Sequence, residues 1–400
     1  MKIVVLGDTH FGGGYSLGKT DARTHLNTRL LDFSNTFDFS VDYMVNNHVK
    51  HFVITGDIFE HRRPAASELS LFSKKMRRLT ELGIHTHILV GNHDIIREQK
   101  TTTIDVLRSL KLPMVHVYPD IGSLSCSDDT EERINLIFFP FRTRQMLDCA
   151  SNDEAVARLN DRLQYELRGL PKQYPSILIG HMMLQETKLG GTVLEGESGE
   201  VVLPCAMFDD LQAAIMGHVH PHQIIKKDPL IAYVGQMEAR DFGEGRYDKY
   251  LLMIEYTKDK LLFNFEKLPS RPIYDIIVDQ TSVDGGKEAT QSTKEYLEDF
   301  SSDNNMIGSI VRITVVMNEK SIFDFSRDSI RRFIKKKLLV HHCVGIYPQV
   351  ISKRQLRRSS ITESLDLEAA FNEFLELEED LAIKERMKEV GTRIIRDRRK

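Results

Sequence analysis

This sequence has no apolar run long enough to cross a bilayer. Its longest largely apolar stretch, Ile134 to Phe141, falls far short of the about 20 residues that a spanning helix needs. Neither sign of charge is in marked excess: 54 Lys and Arg stand against 58 Asp and Glu, a net charge of −4. Such a total neither indicates nor excludes nucleic acid, because a local basic patch binds phosphate whatever the sum. Cysteine is scarce. Four residues (Cys126, Cys149, Cys205 and Cys343) lie far apart with no Cys-x-x-Cys pair. That argues against a disulfide framework or a zinc knuckle and predicts buried small residues in a reducing compartment. No signal peptide is expected ahead of the strand-like run at Lys2, and there is no low-complexity tract or solenoid period. The expectation is a cytoplasmic protein. The chain is 41% hydrophobic and 28% charged, which suits a globular protein, and 400 residues predict two or three domains.

One pattern recurs five times: a continuous apolar run meets a glycine and then a polar, ligand-type residue. Ile3–Leu6 precedes Gly7–Asp8, and Phe52–Ile54 precedes Gly56–Asp57. Ile84–Val90 precedes Gly91–Asn92, Ile177–Ile179 precedes Gly180–His181, and Ala213–Met216 precedes Gly217–His218. Apolar runs of this length are the pattern of strands buried on both faces. Helices are predicted between them, over Thr28–His48, Ala65–Leu82 (apolar at Leu69, Phe72, Met76 and Leu79, closed by Gly83) and Ala150–Leu167. Strand and helix alternation means a sheet with helices on its faces. From Ile224 to Glu266 short strands with turns follow. A second unit is predicted from Pro269–Pro272: strand Ile273–Val278, polar linker Thr281–Thr293, strand Ile310–Val316, helix Arg327–Lys337, strand Val344–Ile351. The segment after Ser359 is densely charged, with capping-box spacing at Ser360–Glu363.

The strand ends carry the chemistry. They supply Asp8 and His10, Asp57, the tetrad Gly91–Asn92–His93–Asp94, His181, and the pair His218 and His220. Ligands of α/β sheets bind outside the carboxyl ends of strands, so residues far apart in sequence meet there. Two Asp, one Asn and four His make seven N/O donors, more than one ion needs. With one carboxylate shared, two ions would each have about four protein ligands and open positions. Imidazole and carboxylate without thiolate suit Mn, Fe or Zn. Two ions about 3.5–4 Å apart clamp the attacking and leaving oxygens of a phosphoryl transfer. His85 and His87, alternating on one strand, and His341–His342 read instead as structural or surface groups.

The ordered set Asp-x-His, Gly-Asp, Gly-Asn-His-Asp, Gly-His, Gly-His-x-His resembles the calcineurin-like metallophosphoesterases over roughly the first two-thirds of the chain. Within them it is similar to the SbcD-type (Mre-eleven-like) DNA repair nuclease subunits. The narrowing residues are Gly56–Phe59 and the stretch Tyr233–Met237 followed by Arg240–Glu244. The resemblance implies an α/β fold: a β-sandwich core flanked by helices (1–269), a small α+β DNA-capping domain (270–352) and a helical tail (353–400). It implies that Asp8, His10, Asp57 and His220 hold one metal and Asp57, Asn92, His181 and His218 the other. The two ions would be Mn, with Mg possible in their place. His93 would act on the scissile phosphate without binding metal, oriented by Asp94. Two positions depart from the family: Glu60 and His61 stand where archaeal members have a second His, and Gln236 replaces a Ser. The length and these departures would also suit a phage-encoded member.

Three functions compete. A DNA nuclease subunit would work with an SbcC-like SMC-type ATPase in break processing, recombination and replication. A stand-alone metallophosphatase or small-molecule phosphodiesterase would leave the region after Pro269 unexplained, with its basic groups Lys335–Lys337, Lys353, Arg354, Arg357 and Arg358. A dead scaffold conflicts with a full set of donors. Two partner surfaces are expected. One is a homodimer contact through Leu69, Phe72 and Met76 with Ile104, Leu107 and Leu110. The other is an ATPase-binding stripe of Leu367, Phe371, Phe374, Leu375 and Leu381. No membrane association is expected.

Overall fold

The computed structural model describes residues 1–96, 101–128, 131–189, 192–193 and 199–351, with six residues of the tail (371, 375, 387, 388, 390 and 391). The chain forms two compact units, Met1–Tyr274 and Asp275–Lys400.

The first unit is built on two six-stranded sheets. One has the order Lys260–Lys267, Tyr250–Thr257, Lys2–Leu6, His51–Ile54, His85–Leu89, Val115–Tyr118. The other has the order Gln223–Lys227, Leu230–Tyr233, Ala213–Gly217, Ser176–His181, Arg133–Phe139, Gly122–Ser127. Alternation along each strand decides which layer a side chain enters. Ile3, Val5, Val53 and Leu89 of the first sheet meet Leu136, Phe138, Ile177 and Ile215 of the second in a core between the sheets. Val4, Leu6, Phe52 and Ile88 face the other way, under Phe33, Phe37, Phe72 and Met76 of the helices Thr28–Asn46 and Ala66–Glu81. Leu178, Ala214 and Ile231 face outward from the second sheet, under Leu159 and Leu163 of the helix Asn152–Gly169. The sheets are covered on both faces, which is why their strands read as unbroken apolar runs. Gly83, with φ +69°, follows the helix Ala66–Glu81.

The apolar stripe of that helix faces its own core. Phe72 and Met76, with Ile104 and Leu107 of the following segment, are at most 3% exposed, and Leu69 packs against the same cluster. The dimer contact expected there is corrected accordingly: the sheet beneath needs a cover, and these side chains supply it. The Leu110 side chain lies outside the described residues.

A buried ionic network ties the helix Thr28–Asn46 to the segment after the second sheet. Arg29, fully buried, donates to Asp32 at 2.6 Å, Glu238 at 2.9 Å and the Ala239 carbonyl at 2.7 Å. Thr36 donates to Glu238 at 2.7 Å, and Arg271 Nε to Asp32 at 2.7 Å. Arg29→Ala would leave buried carboxylates short of their counter-charge, so it should cost about 3–5 kcal/mol of stability. Urea unfolding measures this, and a loss within error of zero would contradict it.

The second unit carries a three-stranded sheet in the order Ile273–Gln280, Ile310–Met317, His342–Val350, with helices Gly286–Asp303 and Arg327–Lys336. The first helix corrects the polar linker expected over Thr281–Thr293. Its buried face is made of Ala289, Thr290, Thr293 and Leu297, so no apolar stripe announces it. The two threonine hydroxyls donate back to the Gly286 and Ala289 carbonyls, at 2.7 Å each. Lys335–Lys337 are exposed. In the tail, Phe371 and Leu375 are helical and Leu375 is buried. Leu367, Phe374 and Leu381, like Lys353, Arg354, Arg357, Arg358 and Ser360–Glu363, lie outside the described residues. Cys126 and Cys205 are buried, Cys149 and Cys343 only half-buried, and all four are free. Among the described residues, no helix is long and apolar enough to cross a membrane.

Candidate metal centre

Five parallel strands, three from the first sheet and two from the second, end at one place. The turns beyond them are tight. Gly56 has φ +115°, and a Cβ there would lie 2.6 Å from His181 Nδ1. A side chain on Gly91 would collide with the Asp57 carboxylate. The glycine before each polar residue therefore lets neighbouring turns close on one another. His10, Asp57 and His218 themselves have φ of 39°, 48° and 91°. Left-handed backbone costs non-glycine residues energy and clusters where function requires it.

The structure brings all nine candidate residues together. Asp8, His10 and His181 are fully buried and Asp57 is 1% exposed. Asp57 Oδ2 lies 3.6 Å from His10 Nε2 and 3.4 Å from His181 Nε2, so one carboxylate oxygen stands between two imidazoles. Its Oδ1 accepts from the His93 amide at 2.8 Å. Asn92 Oδ1 lies 3.0 Å from His181 Nε2 and 3.1 Å from His218 Nδ1. Asp8 accepts from the His218 amide at 2.8 Å and from the Thr55 hydroxyl at 3.2 Å. Ligand atoms of Asp8, His10 and His220, and likewise of His10, Asp57 and His93, lie within 4.8 Å of one another.

This donor set fits cations. The Thr55 carbonyl takes the Nδ1 proton of His181 at 2.8 Å, so its Nε2 lone pair points at the oxygens of Asp57 and Asn92. Lone pairs facing oxygens need a cation between them. Burial alone would lower the His181 pKa, but Asp57 and then Asp8 lift it to about 10: the pocket draws in a proton in place of an ion. Burial also opposes charge on Asp57, yet His181, His10 and His93 hold its carboxyl well below the usual range. Burial lowers His10, whose buried Nε2 makes no hydrogen bond and whose Nδ1 has only the Glu60 carboxylate at 3.2 Å beside it. A buried imidazole nitrogen left without a partner is costly unless it ligates.

Around these residues stands a ring of charges that motif reading missed. Glu244 Oε1 accepts from His220 Nδ1 at 2.8 Å and from Arg240 at 3.1 Å. Arg240 also pairs with Glu60 at 2.9 Å, and Glu60 lies 3.2 Å from His10 Nδ1. Burial raises Glu60, but His10 and Arg240 bring it down to about 2; Glu244 is likewise held well below its usual range against burial by His220 and Arg240. Glu200 lies 2.6 Å from His218 Nε2. The Arg240–Glu244 spacing of four was a visible signal for one pair; nothing in the sequence pointed to Glu200. Partners of this kind fix the ring orientation of ligating histidines and are worth about 10–100-fold in metal affinity. Glu244→Ala should therefore weaken divalent-metal binding by about that factor with the fold intact. Calorimetric Mn titration tests it, and unchanged affinity would contradict it.

One role is corrected. Asp94 makes no hydrogen bond to the His93 ring. Its two oxygens accept from the Ile58 amide at 3.0 Å and the Gly91 amide at 2.9 Å. Burial and the nearby Asp57 raise it to about 7. It clamps the turn, while the Glu60 carbonyl accepts from His93 Nδ1 at 2.7 Å and turns Nε2 toward the centre.

A calcineurin-like phosphoesterase family model matches residues 1–222. The DNA double-strand break repair protein Mre11 of Sulfolobus acidocaldarius is 23% identical over 84% of this chain and 90% of its own. The SbcD component of the nuclease SbcCD of Escherichia coli K12 is 21% identical over 65% of this chain and 66% of its own. The uncharacterized metallophosphoesterase YhaO of Bacillus subtilis is 23% identical over 69% of this chain and 62% of its own.

Proposed function

We infer, from the premise that this chain belongs to the calcineurin-like phosphoesterase family, that it is a Mn-dependent DNA phosphodiesterase acting at DNA ends. The observation that carries this reading is the Asp57 oxygen placed between His10 and His181. Asp8, His10, Asp57 and His220 would hold one ion, and Asp57, Asn92, His181 and His218 the other. Two such ions supply Lewis acidity and a clamp for the attacking and leaving oxygens of an in-line displacement. The protein's own groups do the rest. Asp57 and Asp8 bring the negative charge that holds the centre together. Glu244 and Glu200 keep His220 and His218 in register. His93, turned inward by the Glu60 carbonyl, presents Nε2 as an acid or charge stabiliser for the phosphate.

DNA as substrate is supported by one relative named as a DNA double-strand break repair protein and another named as a nuclease subunit, and by the exposed run Lys335–Lys337, suited to phosphate contacts. An assay with linear and hairpin DNA in Mn, beside a chromogenic phosphomonoester, tests the reading. Cleavage of DNA is expected. Hydrolysis of the monoester alone would favour a stand-alone phosphatase instead.

The partner proposed is an SMC-type ATPase, gripped by the charged tail after Ser359. Truncation at Ser359 should leave Mn-dependent hydrolysis of short single-stranded DNA intact and abolish ATP-stimulated action on duplex ends. Co-purification with the ATPase should be lost as well. A truncated chain that still binds the ATPase but is itself unfolded or inactive would make the tail structural.

A further inference from the structure

A second cluster of metal-type donors lies at the opposite end of the same strands. His51 opens the strand His51–Ile54, whose far end leads to Asp57. Six residues at about 3.3 Å each put the two places roughly 20 Å apart. His51 shares a sheet face with Val53, and His87 with Leu89, and both apolar residues belong to the core between the sheets. Cys126 enters that core from the edge strand Gly122–Ser127 of the other sheet. His51, His87 and Cys126 are 5%, 0% and 1% exposed, and their ligand atoms lie within 4.8 Å of one another.

Proton placement is constrained. The Ser127 carbonyl, 2.8 Å from His51 Nε2, can only accept, so that nitrogen carries the hydrogen and Nδ1 bears a lone pair. That lone pair faces His87 Nε2 at 3.2 Å. The other nitrogen of His87 lies 3.1 Å from the Tyr118 hydroxyl, which can donate or accept. With Tyr118 donating, a closed chain runs from Tyr118 through His87 and His51 to Ser127, and no ion is needed. With Tyr118 accepting, His87 Nε2 also bears a lone pair, and two nitrogens and a sulfur converge on one point. Tetrahedral coordination at about 2.0–2.1 Å separates two nitrogens by about 3.3 Å, close to the 3.2 Å found here.

We propose that His51 Nδ1, His87 Nε2 and Cys126 Sγ form a second metal site, which takes one ion of the zinc class and staples the two sheets together. Thiolate and imidazole select zinc over manganese, so the two centres would load with different metals. The outer partners that ligating histidines use are already present in the Ser127 carbonyl and the Tyr118 hydroxyl. Burial, then the neighbouring imidazoles, keep His87 neutral, as a ligand must be. Burial pushes the Cys126 thiol up to about 12, so the empty site holds a thiol. On binding, the thiol proton leaves to solvent, the His87 proton moves from Nε2 to Nδ1, and the Tyr118 hydroxyl turns from donor to acceptor. The cluster lies one layer of rings from solvent. Half-buried His85 stacks on His51 at 5.2 Å, exposed His116 stacks on His87 at 5.2 Å, and the two outer rings lie 3.4 Å apart, Nδ1 to Nε2.

Cobalt reads this site selectively, because the catalytic centre contains no thiol. Full-length protein is stripped of metal, given excess Mn to fill that centre, and titrated with Co²⁺. One equivalent should produce thiolate-to-cobalt charge-transfer absorption. The band should vanish in Cys126→Ser, persist in Cys205→Ser, the other buried cysteine, and leave phosphoesterase turnover of both variants unchanged. Native mass spectrometry with Zn²⁺ and excess Mn gives a second readout, with one zinc more expected on the wild type than on Cys126→Ser, because imidazole and carboxylate at the catalytic centre also accept zinc. No sulfur band in the wild type, a band that survives Cys126→Ser, or equal zinc on the wild type and Cys126→Ser overturns the proposal and leaves the hydrogen-bonded chain as the state of the cluster.

Discussion

Asp57→Asn is expected to abolish most metal-dependent hydrolysis, by more than the ~10–100-fold that removing an outer partner of a metal ligand costs. The substitution changes one atom and one charge. The carboxylate oxygen it replaces stands 3.6 Å from His10 and 3.4 Å from His181. An amide in its place presents either a neutral oxygen or an N–H to positions where two cations need a shared anion. The backbone does not confound the result. Asp57 has φ 48°, and Asn adopts the left-handed region as readily as Asp. Asn also retains an acceptor for the His93 amide. Fold and stability should therefore survive, with bound metal and turnover lost together. Elemental analysis beside a rate measurement checks this; near wild-type turnover with two bound Mn would refute the bridging role.

His93→Ala should do the converse: keep the metal and lose about 10²–10⁴-fold in rate, the usual contribution of a positioned acid or base. Asn92, not His93, faces His181 and His218 from this turn. The His93 ring lies T-shaped against His10 at 4.9 Å with Nδ1 bound to the Glu60 carbonyl. Its nitrogens are nonetheless near those of His10 and within ligand reach of Asp57. Metal content is therefore the deciding measurement: a variant that has lost one Mn would make His93 a ligand. Truncation to Ala leaves the Glu60 carbonyl open to solvent at this half-buried position, so stability should change little.

Some of this protein is written in short stretches of sequence. A strand buried on both faces must be apolar throughout, so Ile3–Leu6, Phe52–Ile54 and Ile177–Ile179 announce themselves without knowledge of their neighbours. The turn after each must bring a functional residue close to another chain segment, and only glycine leaves room, as at Gly56 and Gly91. Strand plus Gly plus ligand-type residue is thus a local rule, and its fivefold repetition picked out nine candidate residues that the structure brings together. What those residues touch is not local. Periodicity says which face of a helix is apolar but not what covers it, and the Phe72–Met76 stripe is spent on its own sheet. A helix whose buried face is small and hydroxylated, Gly286–Asp303, has no stripe to read at all. Asp94 sits beside His93 in sequence, yet its hydrogen bonds go to Ile58 and Gly91, because the adjacent turn passes closer than the ring does. Glu60, Glu200, Arg240 and Glu244 reach the histidines only because sheet order places their segments around one opening. The same holds for His51, His87 and Cys126. They are separated by 36 and 39 residues in sequence and meet only where an edge strand of one sheet crosses two strands of the other. Local chemistry marked the candidate residues; the packing of two sheets decided their partners.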